Sequence, residues 1–414
     1  MVNLKFFDLV KFEWRFLIYG LLMSLWSSFG QTFFISLFSS EIRNELHLSH
    51  GEFGTYYAIA TTVSAITLLW IGKLADTQTV SRLSIITLIS VCASAFFFSL
   101  INSVWMLVFG LFLLRLSGQG MMYHVYSTFV TRRYNLMRGK ALAICGFGMN
   151  IAEATLPVIV IITLGYFNWR VIWIALPIFA FLTLGPFIQN LTKKNIDASI
   201  EKQVKKNNDV ATSTSLKRGD AVKDLAFWTV IVWLLIVPGF SITGIFFHQI
   251  HLSELKSIPL WLWSTNYIWY AVASISGAFF SGILVDKFSA HKIASLTQLP
   301  MLFACFLLWL GNEKFALALF FIFFGLAGGM LQPMINSLLA ERYGTKWLGE
   351  IKSLLWALSV FSSALSPIIM GLMIDGGSGL TELMLLLVCL SLFSFLSSLI
   401  WFNILRFKKS FEYN

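Results

Sequence analysis

Arg115 stands deep inside an apolar stretch, "VWMLVFGLFLLRLSGQGMMYHVY", and the nearest Lys, Arg, Asp or Glu residues on either side are Arg82 and Arg132. A guanidinium keeps its charge at any physiological pH. At the centre of a bilayer such a charge costs at least about 2.5 kcal/mol, so it must face a protein interior and find a partner. The natural candidate is Glu153 in the next apolar run. Runs 104–131 and 139–163 cross in opposite directions. Each charge then lies about two residues, or ~3 Å, from the midpoint of its own helix. Two chemistries are open to this pair. It can be a fixed bridge that orients two helices. It can also work: an arriving carboxylate displaces Glu153 from Arg115, and the released Glu153 takes up a proton on losing its partner. Arg115 and Glu153 would then couple one proton to one small organic anion.

Such a pair needs long helices in lipid to hold it. Hydrophobic residues make up 57% of the chain and charged residues 12%, against roughly 25% charged in a soluble domain. Mean hydropathy is +0.77. Twelve apolar runs lie near 16–37, 53–75, 83–101, 104–131, 139–163, 169–190, 225–248, 260–285, 292–311, 315–340, 349–374 and 379–405. Each approaches or exceeds the ~20 residues that a bilayer-spanning helix requires. The period-2 alternation of a membrane barrel is absent. The expected fold is therefore all-α and integral to the membrane, with twelve transmembrane helices.

A net charge of +10 would suit a nucleic-acid partner, but its distribution argues against one. With the N-terminus inside, 25 of the 30 Lys and Arg fall on the tails and even-numbered connections, and four fall on the opposite side. That is the positive-inside pattern, and its partner is anionic membrane lipid. No cleavable signal peptide is expected, because the first run is too long and lacks a small-residue cleavage site. Cys92, Cys145, Cys305 and Cys389 fall inside apolar runs without CxxC or His-paired spacing, which supports neither a disulfide framework nor a metal site.

Residues 191–224 hold eight Lys or Arg and no Phe, Tyr or Trp. They read as a cytoplasmic linker between an N-terminal six-helix bundle (1–190) and a C-terminal one (225–414). The halves repeat one another. Asp76 and Asp286 are 210 apart, as are Gly139 and Gly349, and Pro157 and Pro367. "GMMYHVYSTFVTRRY" (120–134) lines up with "GMLQPMINSLLAERY" (329–343) at an offset of 209, and "FFISLFSSEI" (33–42) with "FFHQIHLSEL" (246–255) at 213. Internal repeats of this kind build secondary transporters around a midplane site.

The chain resembles the major facilitator superfamily over nearly its whole length. That family's signature, Gly-x-Leu-x-Asp-Arg/Lys-x-Gly followed by basic residues, is matched in "GILVDKFSAHKI" by Gly282, Asp286, Lys287, His291 and Lys292, with Ser289 in the glycine place. A looser copy, "GKLADTQTVSRL", keeps Gly72, Leu74, Asp76 and Arg82. "LFLLRLSGQG" is similar to the family's Arg-x-x-x-Gly-x-Gly motif of helix 4, and "RGKALAICGFGMN" to helix 5 of carboxylate-transporting branches of the monocarboxylate and oxalate–formate type. The resemblance implies two pseudo-symmetric bundles and a cavity lined by helices 1, 4, 7 and 10. It marks Gln31, Arg115, Gln119, Tyr123, His248, Gln332 and Asn336 as solute-contact candidates, with Asn150 one turn from Glu153. His248 reads either as an interface residue or as a proton-coupling group. The repeated Asp motif implies a cytoplasmic gate. Each Asp would hold a helix N-terminus or a basic residue, and each Gly would let a neighbouring helix come close.

No P-loop lysine motif, HExxH or GxSxG elbow occurs, so nothing points to an enzyme or a bound cofactor. The expected function is secondary active transport of a small solute by alternating access. An organic anion moved with protons is the leading substrate. A sugar, amino acid, peptide or drug on the same scaffold, or a sensor that binds without transport, are the rivals. The expected location is a bacterial inner membrane, with both termini cytoplasmic.

Overall fold

A computed structural model describes residues 6–134, 138–192, 216–311, 314–344 and 347–401. Among these there is no strand. An all-helical solution is what lipid imposes, since a spanning helix satisfies every backbone N–H and C=O within itself. Ten helices are long and apolar enough to cross a membrane, and an eleventh span is broken. We label them in chain order. The broken span α1 is Glu13–Gly30 plus Thr32–Leu46, bent by 50°. Then follow α2 His50–Ile71, α3 Val80–Ser99, α4 Val104–Arg133, α5 Gly139–Leu164 and α6 Trp169–Thr192. In the second half come α7 Phe227–Phe247, α8 Leu260–Phe288, the shorter apolar α9 Leu296–Leu310, α10 Lys314–Tyr343, α11 Glu350–Asp375 and α12 Leu380–Leu399. These twelve fall on the twelve runs of the sequence, and form two six-helix bundles.

Side chains set several boundaries. Thr79, Ser103 and Asn168 accept from the backbone N–H groups of Arg82, Met106 and Arg170 and so start α3, α4 and α6, as N-caps do. Prolines sit inside α5, α6, α7, α10 and α11.

One compact unit comprises Met1–Leu48 and Ile59–Thr212. Its core includes Trp173 of α6, whose ring meets Phe34 and Phe38 of α1 and Phe98 of α3 at 5.2, 5.2 and 4.7 Å. The other unit comprises Ser49–Ala58 and Ser213–Asn414. Within it α8 packs extensively on α10. A Cβ at Gly277 of α8 would lie 2.9 Å from the Leu326 carbonyl, while Gly325 and Gly329 of α10 press on the backbone of Tyr270 and Ser274. Small residues allow that approach in a membrane, where hydrophobic burial gives no drive. In "IPLWLWSTNYIWY" the sequence suggests an interfacial aromatic belt. Trp261 and Trp269 are indeed exposed, but Trp263, Tyr267 and Tyr270 are buried, packed against Phe320, Phe321 and Phe324 of α10.

Of the expected linker, residues 193–215 lie outside the described residues. The remainder includes the short helix Arg218–Ala221.

Candidate functional site

The middle of α1 reads "SSFGQ". Ser27 Oγ donates to the Ser24 carbonyl at 2.7 Å and Ser28 Oγ to the Leu25 carbonyl at 2.6 Å. Such back-bonding competes with the helix ladder and bends helices. Ser27–Gly30 tighten into a 3₁₀ turn, and Gln31 is extended at φ −87°, ψ 149°. The break takes the Gly30 carbonyl out of the regular ladder in a place where an orphan acceptor is costly. Arg115 Nη1 donates to that carbonyl at 2.9 Å. Arg115 is buried, 3% exposed.

The partner helix is irregular at the same level. Arg115–Met122 of α4 form a π-helical turn, a rare geometry that concentrates at functional sites. The two irregular segments touch through glycine: a Cβ on Gly118 would lie 2.6 Å from Gly30 N and 2.8 Å from its Cα. Backbone cannot yield there as a flexible side chain would. Gly118→Ala is therefore expected to cost about 1–3 kcal/mol, read as a lower midpoint in thermal unfolding of the purified protein. Gly146→Ala in α5, where an added Cβ meets nothing within 4 Å, is the control and leaves the midpoint unchanged or higher. Equal midpoints for the two variants would show that the α1–α4 contact is looser than this.

The expected bridge between Arg115 and Glu153 is not formed. Ion pairs among the described residues join Arg133 to Glu13, Arg170 to Glu45, His251 to Glu254, His291 to Glu341 and Arg342 to Asp224. The broken helix accounts for the difference, because it presents a carbonyl to Arg115 that an unbroken α1 would have kept for itself. Glu153 is half-buried on α5.

Gln31, Gln119, Asn150 and Glu153 are half-buried, and Tyr123 is exposed, in the first unit. The π turn alters the phase at which Gln119 and Tyr123 follow Arg115, so the regular α-helical stripe expected of these three is not kept. Tyr123 meets the Tyr126 ring at 5.2 Å. In the second unit His248 is buried, 3% exposed, with Nε2 3.2 Å from the Pro367 carbonyl of α11. Gln332 is exposed and Asn336 half-buried on α10. Among the described residues, Asn336 Oδ1 is buried without a hydrogen-bond partner.

The gate motifs differ from expectation in who does the holding. Asp286, Lys287 and Lys292 are exposed. The carboxylate that holds a helix start is Glu341 in the last turn of α10: it accepts from Ala290 N at 2.6 Å and His291 N at 3.2 Å. Asp286 lies on α8, ahead of that turn, whereas the end of α10 packs on the short helix Ala290–Ile293. Ser289, in the family's glycine place, adopts φ +72°, a conformation natural to glycine. Gly282 makes no close approach, since a Cβ there meets open space. Gly72 does: its carbonyl is 3.1 Å from His124 Nε2. Arg82 is exposed, and the side chain of Asp76 lies outside the described set. Arg132 donates to the Ala75 carbonyl at 2.7 Å. Arg132 and Glu341 are 209 apart. The repeat places them at equivalent positions with opposite charge, and that alignment was the signal that could have found Glu341.

The sequence profile of the Major Facilitator Superfamily matches residues 20–265 and 261–412. No curated protein matches the sequence. Among solved structures, the chain is similar to a bacterial homologue of the human lysosomal transporter Spinster in its inward-facing, occupied conformation, with TM-score 0.70, 13% identity and coverage of 93% of this chain and 95% of that one. The inward-facing, unoccupied structure gives 0.67, 13%, 92% and 96%. The nucleoside transporter NupG, as a single-substitution variant, gives 0.68, 11%, 94% and 100%. With this one profile matching two segments that cover nearly all of a twelve-span duplicated fold, the chain belongs to the Major Facilitator Superfamily and is a multi-pass integral membrane transporter of small solutes.

Proposed function

We propose that this transporter moves a small organic anion together with protons by alternating access, and that Arg115 is the anion's anchor. The observation that carries the reading is a buried cation held at mid-span by the broken backbone of α1. The Gly30 carbonyl fixes one arm of the guanidinium. A carboxylate accepts from such a planar group through two parallel N–H bonds, which gives direction as well as strength. Gln31 and Gln119 supply hydrogen bonds to a small polar body. Glu153, on α5, carries the coupled proton. The weak likeness of "RGKALAICGFGMN" to carboxylate-transporting branches points the same way. The charge pattern supports a cytoplasmic position for both termini, and a bacterial inner membrane is the proposed location.

Uptake by proteoliposomes of a panel of radiolabelled solutes tests this: mono- and dicarboxylates, sugars, amino acids and nucleosides. Accumulation of a carboxylate under an inward proton gradient is the expected result. Accumulation of only a neutral or cationic solute would overturn it, and binding without flux would mark a sensor.

A further inference from the structure

A carboxylate is gripped by an Arg-Tyr pair once in each unit. In the first unit Glu13, within the helix Phe6–Trp26 that carries the first segment of α1, accepts on Oε2 from Arg133 Nε and from Tyr134 OH, each at 2.8 Å. The Arg133 guanidinium also lies 4.5 Å over the Phe16 ring. In the second unit Asp224, just ahead of α7, accepts from Arg342 Nε at 2.5 Å, Arg342 Nη2 at 2.9 Å and Tyr343 OH at 2.8 Å. Arg133 and Arg342, like Tyr134 and Tyr343, are 209 apart, and Glu13 and Asp224 are 211 apart. The sequence repeat is thus also a repeat of side-chain contacts. Burial opposes the charge on Asp224, but the bonds from Arg342 and Tyr343 outweigh it and hold the carboxyl below its ordinary range.

These ties join the first helix of each bundle to the end of its fourth. They differ from ordinary surface ion pairs, which contribute little. The side chains are only 8–24% exposed, and a neutral hydroxyl shares the same carboxylate. In the first unit the tie has particular work to do, because α1 is broken at Gly30–Gln31. A continuous helix transmits its axial position along its hydrogen-bond ladder; a broken one does not. The outer segment has its own anchor, since Arg170 grips Glu45 through two bonds of 2.5 and 2.6 Å. The inner segment, Glu13–Gly30, therefore needs an anchor to α4 if the Gly30 carbonyl is to stay within reach of Arg115.

We infer that the Arg-Tyr–carboxylate contact is a duplicated register clamp, and that Glu13 and Asp224 are positioning residues that fix α1 on α4 and α7 on α10. The inference goes beyond the anion reading, and its test uses no solute, so either can fail alone. Hydrogen exchange by mass spectrometry on the full-length protein in lipid nanodiscs compares the native chain with Glu13→Gln and Glu13→Asp. Glu13→Gln is expected to speed exchange about ten-fold in the break, residues 27–35, which lies ~25 Å along the helix from the clamp. Glu13→Asp, which keeps the charge, returns the break to within about two-fold of native. Faster exchange confined to the ends, 6–16 and 130–134, would overturn the inference, as would failure of Glu13→Asp to rescue. If Glu13→Gln does not accumulate, Asp224→Asn and Asp224→Glu put the same question to the second unit at residues 328–336 of α10.

Discussion

Replacing Arg115 by glutamine is expected to abolish carboxylate uptake while the protein still reaches the membrane in full amount. Removing one partner of a buried, hydrogen-bonded charge pair costs about 2–5 kcal/mol, which corresponds to about a 30-fold or greater loss of uptake at sub-saturating solute. Glutamine removes a charge that is expensive at mid-span, and its amide can still donate toward the Gly30 carbonyl, so abundance does not fall. Arg115→Lys keeps a point charge but loses the planar fork, and leaves residual flux. Initial rates of labelled carboxylate entry, normalised to protein in the membrane, measure both. Full uptake by Arg115→Gln would reduce Arg115 to a brace for the broken helix.

Glu153→Gln is expected to separate exchange from accumulation. A glutamine cannot carry a proton, so the loaded carrier can still turn over in both directions, but the pH gradient no longer does work on it. Counterflow of labelled against unlabelled carboxylate then persists at close to the native rate. Accumulation driven by an alkaline interior disappears. If Glu153→Gln still concentrates solute under that gradient, the coupling group lies elsewhere. Because Glu153 is not bridged to Arg115 in this structure, the two substitutions should act independently: the double variant shows the uptake loss of Arg115→Gln together with the loss of proton-driven accumulation of Glu153→Gln.

The twelve spans were legible because a span is a property of composition and length, and both are local. The duplication was legible because equal offsets recur in order. The break in α1 was not. "SSFGQ" contains one glycine and no proline, and the break depends on serine side chains turning back on their own helix and on a cation one bundle position away. Neither partner announces the other in sequence. The same blindness misassigned the partner of Arg115: opposite charges at similar depth suggested Glu153, whereas a backbone carbonyl, invisible to any residue-type argument, took the contact. At the second gate motif Asp286 drew attention by matching a signature, while Glu341, which makes the contact, belongs to no signature. The Arg-Tyr clamps lay in the aligned segments 120–134 and 329–343. Their carboxylate partners fall more than a hundred residues away, where only the fold connects them.

The bond between Arg115 and the Gly30 carbonyl spans 85 residues of chain, and this bears on how the protein is made. During synthesis α1 leaves the ribosome before α2, α3 and α4. Until α4 arrives, a broken α1 would expose backbone acceptors to hydrocarbon, a condition that lipid penalises. α4 in turn brings a charge that resists insertion on its own. A broken α1 and an unpartnered α4 are each poor membrane spans, and each supplies what the other lacks. The economical order is for α1 to insert as a continuous helix and to break only when Arg115 reaches it. The serines of α1 then prepare the bend and assembly completes it, and the insertion of α4 is completed by a segment translated long before it.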